Sequence, residues 1–102
     1  CWSEMRAEGA VPAISHFAQR DRIAYVHLRF VQGEVPCFNE CFIDEGSVDP
    51  FEAVKALHGA GFTGFLITDH VPKTEGDTRW GHRSRAYALG YIRCLIDWAE
   101  RL

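Results

Sequence analysis

Two short apolar runs, each ending in ionisable residues and each followed by a helical pattern, constrain this chain most. The first is Ile23-Ala24-Tyr25-Val26-His27-Leu28-Arg29, and the second is Thr63-Gly64-Phe65-Leu66-Ile67-Thr68, closed by Asp69-His70. Strands that alternate with helices run parallel, because the crossover helix returns the chain to the same edge. In such folds the loops after the strands carry the chemistry. A chain that only had to pack would gain nothing from charge there, since desolvating it costs free energy.

The sequence predicts a short helix over 11–19 with Pro12 in its first turn, then a strand from Ile23 to Phe30. On that strand Tyr25, His27 and Arg29 share one face, and Val26, Leu28 and Phe30 the other. Gln32 to Ser47 reads as irregular, with Gly33, Pro36 and Gly46 as breakers and a short extended piece at Cys41-Phe42-Ile43. Asp49-Pro50-Phe51-Glu52 is a strong helix start: Asp49 caps, Pro50 suits the first position, and Glu52 stands three after the cap. Gly59 and Gly61 end that helix. Phe62 to Thr68 is the second strand, apolar enough for burial on both faces. A polar loop over 71–83 leads to a last helix from Ser84 to Leu102, with Tyr87, Tyr91, Cys94, Leu95, Trp98 and Leu102 as its apolar stripe.

The expected fold class is therefore α/β, with the 102 residues forming one piece. Two principal strands cannot make a covered sheet. A (β/α)8 barrel takes about 250 residues and with insertions more than about 400, and the chain reads as roughly the last quarter to third of one, its C-terminal β/α units. The opening on Cys1, without Met or a targeting pattern, suggests a piece cut from something longer. Four cysteines (Cys1, Cys37, Cys41 and Cys94) form no C-x-x-C pair, which favours a reduced, cytoplasmic setting. No run reaches membrane-spanning length. A net charge of −3 gives no electrostatic case for nucleic acid.

Arginine outnumbers lysine nine to two, and Arg29, Arg79, Arg83 and Arg85 fall beside the ionisable strand ends. Arginine holds a carboxylate through a planar two-donor fork, which lysine lacks. His27 and Asp69 fall on the same inward faces of their strands and could converge on a divalent ion. The plain alternative is a core histidine and a turn-capping aspartate. His70, at the strand end, could act beside such an ion as acid or base. His82 lies in a Gly-flanked loop with Trp80, and His16 and His58 fall on helix surfaces. Tyr87 reads first as a packing residue.

Several co-linear motifs resemble the mannonate dehydratase family. Tyr25-Val26-His27-Leu28-Arg29 is similar to its YVHFRN strand, and Thr68-Asp69-His70-Val71-Pro72 to its PDHVP strand end. Gly81-His82-Arg83-Ser84-Arg85-Ala86-Tyr87-Ala88-Leu89-Gly90-Tyr91 resembles GHRGRAYAIGY, and the segment from Phe42 to Asp49 contains a turn similar to DDGDVD.

The resemblance implies a TIM barrel of the xylose-isomerase-like group. It implies a hydro-lyase that converts D-mannonate to 2-keto-3-deoxy-D-gluconate with Mn2+ or Fe2+, assembled as a homo-oligomer. It also implies His27, Asp69 and Cys1 as metal ligands, His70 and Tyr87 as catalytic groups, and Arg29, Arg83 and Arg85 near the substrate. A further His ligand would precede residue 1. Mixed His, Asp and Cys ligation suits Fe2+ or Mn2+ and is compatible with Zn2+. The alternatives are a metal-dependent sugar isomerase or epimerase of the same barrel group, or a non-catalytic barrel piece. The chain by itself is expected to be inactive and poorly folded.

Overall fold

The computed structural model describes residues 2–102, with side chains from residue 6 onward. The first helix, α1 (Trp2–Ala18), begins earlier than the sequence suggested and is interrupted at Arg6 (φ 61, ψ 164). Pro12 therefore lies inside it rather than in its first turn. Ala10, Ile14 and Ala18, four residues apart, are all buried on one side of the helix.

Strand β1 (Tyr25–His27) follows, then β2 (Val31–Glu34) and β3 (Cys37–Glu40), helix α2 (Pro50–Gly59), strand β4 (Phe65–Ile67) and helix α3 (His82–Ala99). β1 and β4 pair in parallel, with Tyr25 opposite Phe65 and His27 opposite Ile67. Leu28 N–H extends this ladder to the Ile67 carbonyl at 2.8 Å. The expected faces are observed: Leu28 and Phe30 are buried, while Tyr25 is 58% exposed. The helices cover only this one face of the parallel pair. Phe65, on the other face, is 78% exposed, so burial of the second strand on both faces is not met within this chain. Both strands are also shorter than expected.

The region read as irregular holds an antiparallel hairpin, which corrects that reading. β2 and β3 pair with Gly33 opposite Phe38 and Glu34 opposite Cys37, across a Val35-Pro36 turn with a cis peptide bond. Gly33 is required there: φ is 92°, and a Cβ would sit 2.5 Å from the Cys37 carbonyl. The outer edge of β2 is held by the turn before α2. Ser47 N–H donates to the Val31 carbonyl (2.9 Å), and Gly33 N–H to Ser47 Oγ (2.9 Å). The expected extended piece at residues 41–43 is instead the entry to that turn.

α2 starts as its sequence dictates, with the Asp49 carboxylate accepting from Phe51 N–H at 2.8 Å. Its buried residues are Pro50, Ala53, Val54 and Leu57. α3 presents Ser84, Ala88, Ile92, Leu95 and Ala99 inward. Of the expected stripe, Leu95 is buried and Tyr91 and Trp98 are half-buried against the core, while the other three members are not part of it. Tyr87, Cys94 and Leu102 are exposed, because small residues on the inward face bring α3 close to the core. Among the described residues, no helix is long and apolar enough to cross a membrane.

Candidate active site

Four side chains gather around Asp69 at the C-terminal end of the parallel pair. His27 closes β1 and Asp69 lies two residues beyond β4, on the same face by alternation. Their polar atoms, His27 Nδ1 and Asp69 Oδ1, stand 3.4 Å apart. Arg29 Nη1 lies 3.8 Å from the other Asp69 oxygen, Oδ2. His70 Nε2 is 3.7 Å from Asp69 Oδ1. None of the five groups is fully buried, so the cluster opens to solvent.

The fifth member is Glu40, the last residue of β3, which the sequence reading did not single out. Its carboxylate takes both arms of the Arg29 fork, Nη2 at Oε1 and Nε at Oε2 (3.3 Å). It also stands 3.5 Å from His70 Nδ1. The hairpin that delivers Glu40 has exposed strands with no apolar alternation, so only its turn residues Gly33 and Pro36 could have announced it.

Beside the cluster lies a cleft of about 670 Å³, whose lining includes Glu40, His70, Lys73, Arg79, Trp80 and Arg85. Arg85 reaches it from α3 while donating to the Asp69 carbonyl (2.9 Å), Thr68 Oγ1 (3.3 Å) and the Trp80 carbonyl (2.8 Å). Arg83 is not part of that lining: its guanidinium lies over Gly76. Arg79 is the loop arginine that does line it.

The start of α3 is built by the loop. Gly81 takes a left-handed φ of 68°, where a Cβ would meet Val71 at 2.9 Å. With no side-chain cap at Gly81 itself, Asp77 supplies one, accepting from Arg83 N–H (3.0 Å) and Ser84 N–H (3.1 Å). These backbone bonds, that from Arg83 foremost, hold the Asp77 carboxyl down at about 2. His82 Nδ1 lies 2.6 Å from Thr78 Oγ1, inside the same loop.

Tyr87 is not brought to the cluster. Its hydroxyl donates to Asp44 Oδ1 at 2.9 Å, and its ring meets Phe42 edge-on. That hydrogen bond is the first cause of its raised pKa, because the carboxylate stabilises the neutral phenol. Cys1, expected as a thiolate ligand, lies outside the described residues. Burial, with Glu45, Glu40 and Asp44 adding, pushes the Cys41 thiol up and keeps it protonated.

Among the described residues, no group of three or more His, Cys, Asp or Glu side chains is arranged to hold a metal. His27 and Asp69 nevertheless fit as part of a donor set. Two donors that share one ion at about 2.1 Å each stand roughly 3 to 3.5 Å apart, and imidazole with carboxylate suits first-row divalent ions.

Residues 3–102 match the family described as D-mannonate dehydratase (UxuA). The chain belongs to this family. It is 28% identical to the mannonate dehydratase of Lactococcus lactis subsp. cremoris, in an alignment covering 97% of this chain and 30% of that protein. To mannonate dehydratase 2 of Halalkalibacterium halodurans it is 37% identical, over 80% of this chain and 23% of that protein. A crystal structure of mannonate dehydratase from Streptococcus suis serotype 2 superposes with a TM-score of 0.82 at 26% identity, covering 89% of this chain and 28% of that one. The chain thus spans less than a third of the length of these dehydratases.

Proposed function

We propose that this chain supplies C-terminal β/α units of a (β/α)8 barrel, and with them part of the active site of a metal-dependent hydro-lyase acting on D-mannonate. The observation that carries the reading is the approach of His27 to Asp69 at the C-terminal ends of two parallel strands, in a chain of the D-mannonate dehydratase family. In barrels this end is where catalytic residues collect.

Dehydration to 2-keto-3-deoxy-D-gluconate removes the proton α to the carboxylate and expels the β-hydroxyl as water; the resulting enol then tautomerises to the ketone. His27 and Asp69 would hold Mn2+ or Fe2+, with Cys1 as a further donor. The bound ion supplies Lewis-acid stabilisation of negative charge developing next to the carboxylate. Arg29, at the cluster, offers a fixed cation for the same charge, joined from the cleft by Arg79. His70 borders the cleft with its ring exposed and is placed to move a proton as acid or base. Arg85 holds the Thr68–Asp69 corner while lining the cleft. Tyr87, its hydroxyl committed to Asp44, serves to tie α3 to the turn before α2.

The test is D-mannonate turnover by the full-length protein that carries this chain, assayed with Mn2+ or Fe2+. Formation of the 2-keto-3-deoxy acid, abolished by chelation and by Asp69→Asn, is expected. Metal binding without mannonate turnover would overturn the substrate and move the reading to sugar isomerisation.

A further inference from the structure

We propose that Glu40 is a positioning residue that holds the Arg29 guanidinium in a fixed place beside Asp69, at the edge of the cleft that His70 also borders. The inference rests on the dehydratase reading for its kinetic consequence and on the geometry alone for its structural one. Three observations meet in this residue. Its two carboxylate oxygens engage the Arg29 fork side-on, at Nε (3.3 Å) and Nη2. One of the same oxygens stands 3.5 Å from His70 Nδ1. Its side chain, 36% exposed, also lines the cleft in which a substrate would sit.

Without Glu40, nothing described here fixes the Arg29 guanidinium except the longer 3.8 Å approach to Asp69. A free guanidinium would then compete with His27 for the Asp69 carboxylate. A fork–fork pair fixes the plane of the guanidinium as well as its distance. His70 lies between two carboxylates, its Nδ1 3.5 Å from Glu40 and its Nε2 3.7 Å from Asp69. The hairpin β2–β3 thereby gains a purpose: it is an excursion between β1 and α2 that brings one carboxylate back to the strand end it left.

The experiment compares Glu40→Gln and Glu40→Asp in the full-length protein, with Glu34→Gln as control. Glu34 sits at the far end of the same hairpin, paired with Arg6 at 3.3 Å. The amide keeps the size of Glu40 but loses the charge that pairs with Arg29; the shorter acid keeps the charge.

With Glu40→Gln, kcat is expected to fall about tenfold or more at unchanged Tm and metal content, the scale typical of supporting residues around a metal site. Glu40→Asp should recover part of the loss, and Glu34→Gln should match wild type. A kcat for Glu40→Gln within twofold of wild type would overturn the proposal. So would equal losses in both Glu40 variants accompanied by a drop in Tm, which would mark a purely structural role.

If the wild type does not turn over D-mannonate, the functional reading fails by itself, and crystal structures of wild type and Glu40→Gln decide this point. A displaced Arg29 guanidinium in the variant supports it; an unmoved one overturns it.

Discussion

Arg85 donates from Nη1 to the backbone carbonyl of Asp69 at 2.9 Å, so the strand end bearing the candidate ligand is tied to the first turns of α3. The same guanidinium holds Thr68 Oγ1 and, through Nε, the Trp80 carbonyl. One side chain thus joins β4, the loop after it and the helix that follows. Arg85→Lys cannot reproduce this, because one ammonium cannot span three acceptors in two directions. In the full-length protein, Arg85→Lys and Arg85→Ala should both lower kcat/KM by about tenfold or more, with little rescue by lysine. Steady-state kinetics on the two variants measure this.

His27 and Asp69 should act as a pair toward the metal. His27→Gln and Asp69→Asn are each expected to weaken Mn2+ binding by at least the 10–100-fold typical of losing a mere supporting partner. The double variant should lose little more than either single one, because half a site holds no ion well. Isothermal titration with Mn2+ on the three variants tests both points, independently of turnover.

Asp77 predicts an acid-side dependence. Its carboxyl falls from the ordinary 3.8 to about 2 in the fold, so the folded state favours the ionised form. A depressed carboxyl stabilises fully above its unfolded value, and that stabilisation drains away as pH falls from near 3.8 toward 2. Asp77→Asn should lose this part of the pH dependence and fray the start of α3. Thermal melts of wild type and variant across this range, followed by circular dichroism, should show the two curves converging as pH drops.

Leu95 is fully buried between α3 and the rest of the core. Truncation removes its packing and leaves a cavity, so Leu95→Ala should cost about 2–5 kcal/mol. Leu102, 70% exposed near the same helix end, should tolerate alanine with no measurable change. Denaturant melts of the two variants separate the cases.

What could be read in the sequence was whatever left a periodic or capping signature. The alternation of Tyr25, Val26, His27, Leu28 and Phe30 gave the two faces of β1, and Asp49-Pro50 located the start of α2. The hairpin escaped because its strands face solvent and carry no alternation, while Gly33 and Pro36 signal turns more strongly than strands. Glu40 was lost with it, since its partners are fixed by strand pairing and not by sequence spacing. On α3 the aromatic stripe lies beside the buried face, so Tyr91 and Trp98 are half-buried against the core and Tyr87 is exposed. Tyr87 and Tyr91 pack with Phe42 and Phe51 at its flank, and the close inward contact belongs to Ser84 and Ala88. The charge of Arg85 is legible in the sequence, but its three acceptors are loop and strand-end oxygens that only the fold brings together.

The uncovered face of β1 and β4 carries both the rings of Tyr25 and Phe65 and the imidazole of His27. Whatever covers the rings also walls in the imidazole. If His27 is a metal donor as proposed, covering the rings and completing the donor set would be one event, and a half-assembled molecule would be sticky and idle together. Bound metal would, in such an arrangement, double as a certificate that assembly has finished.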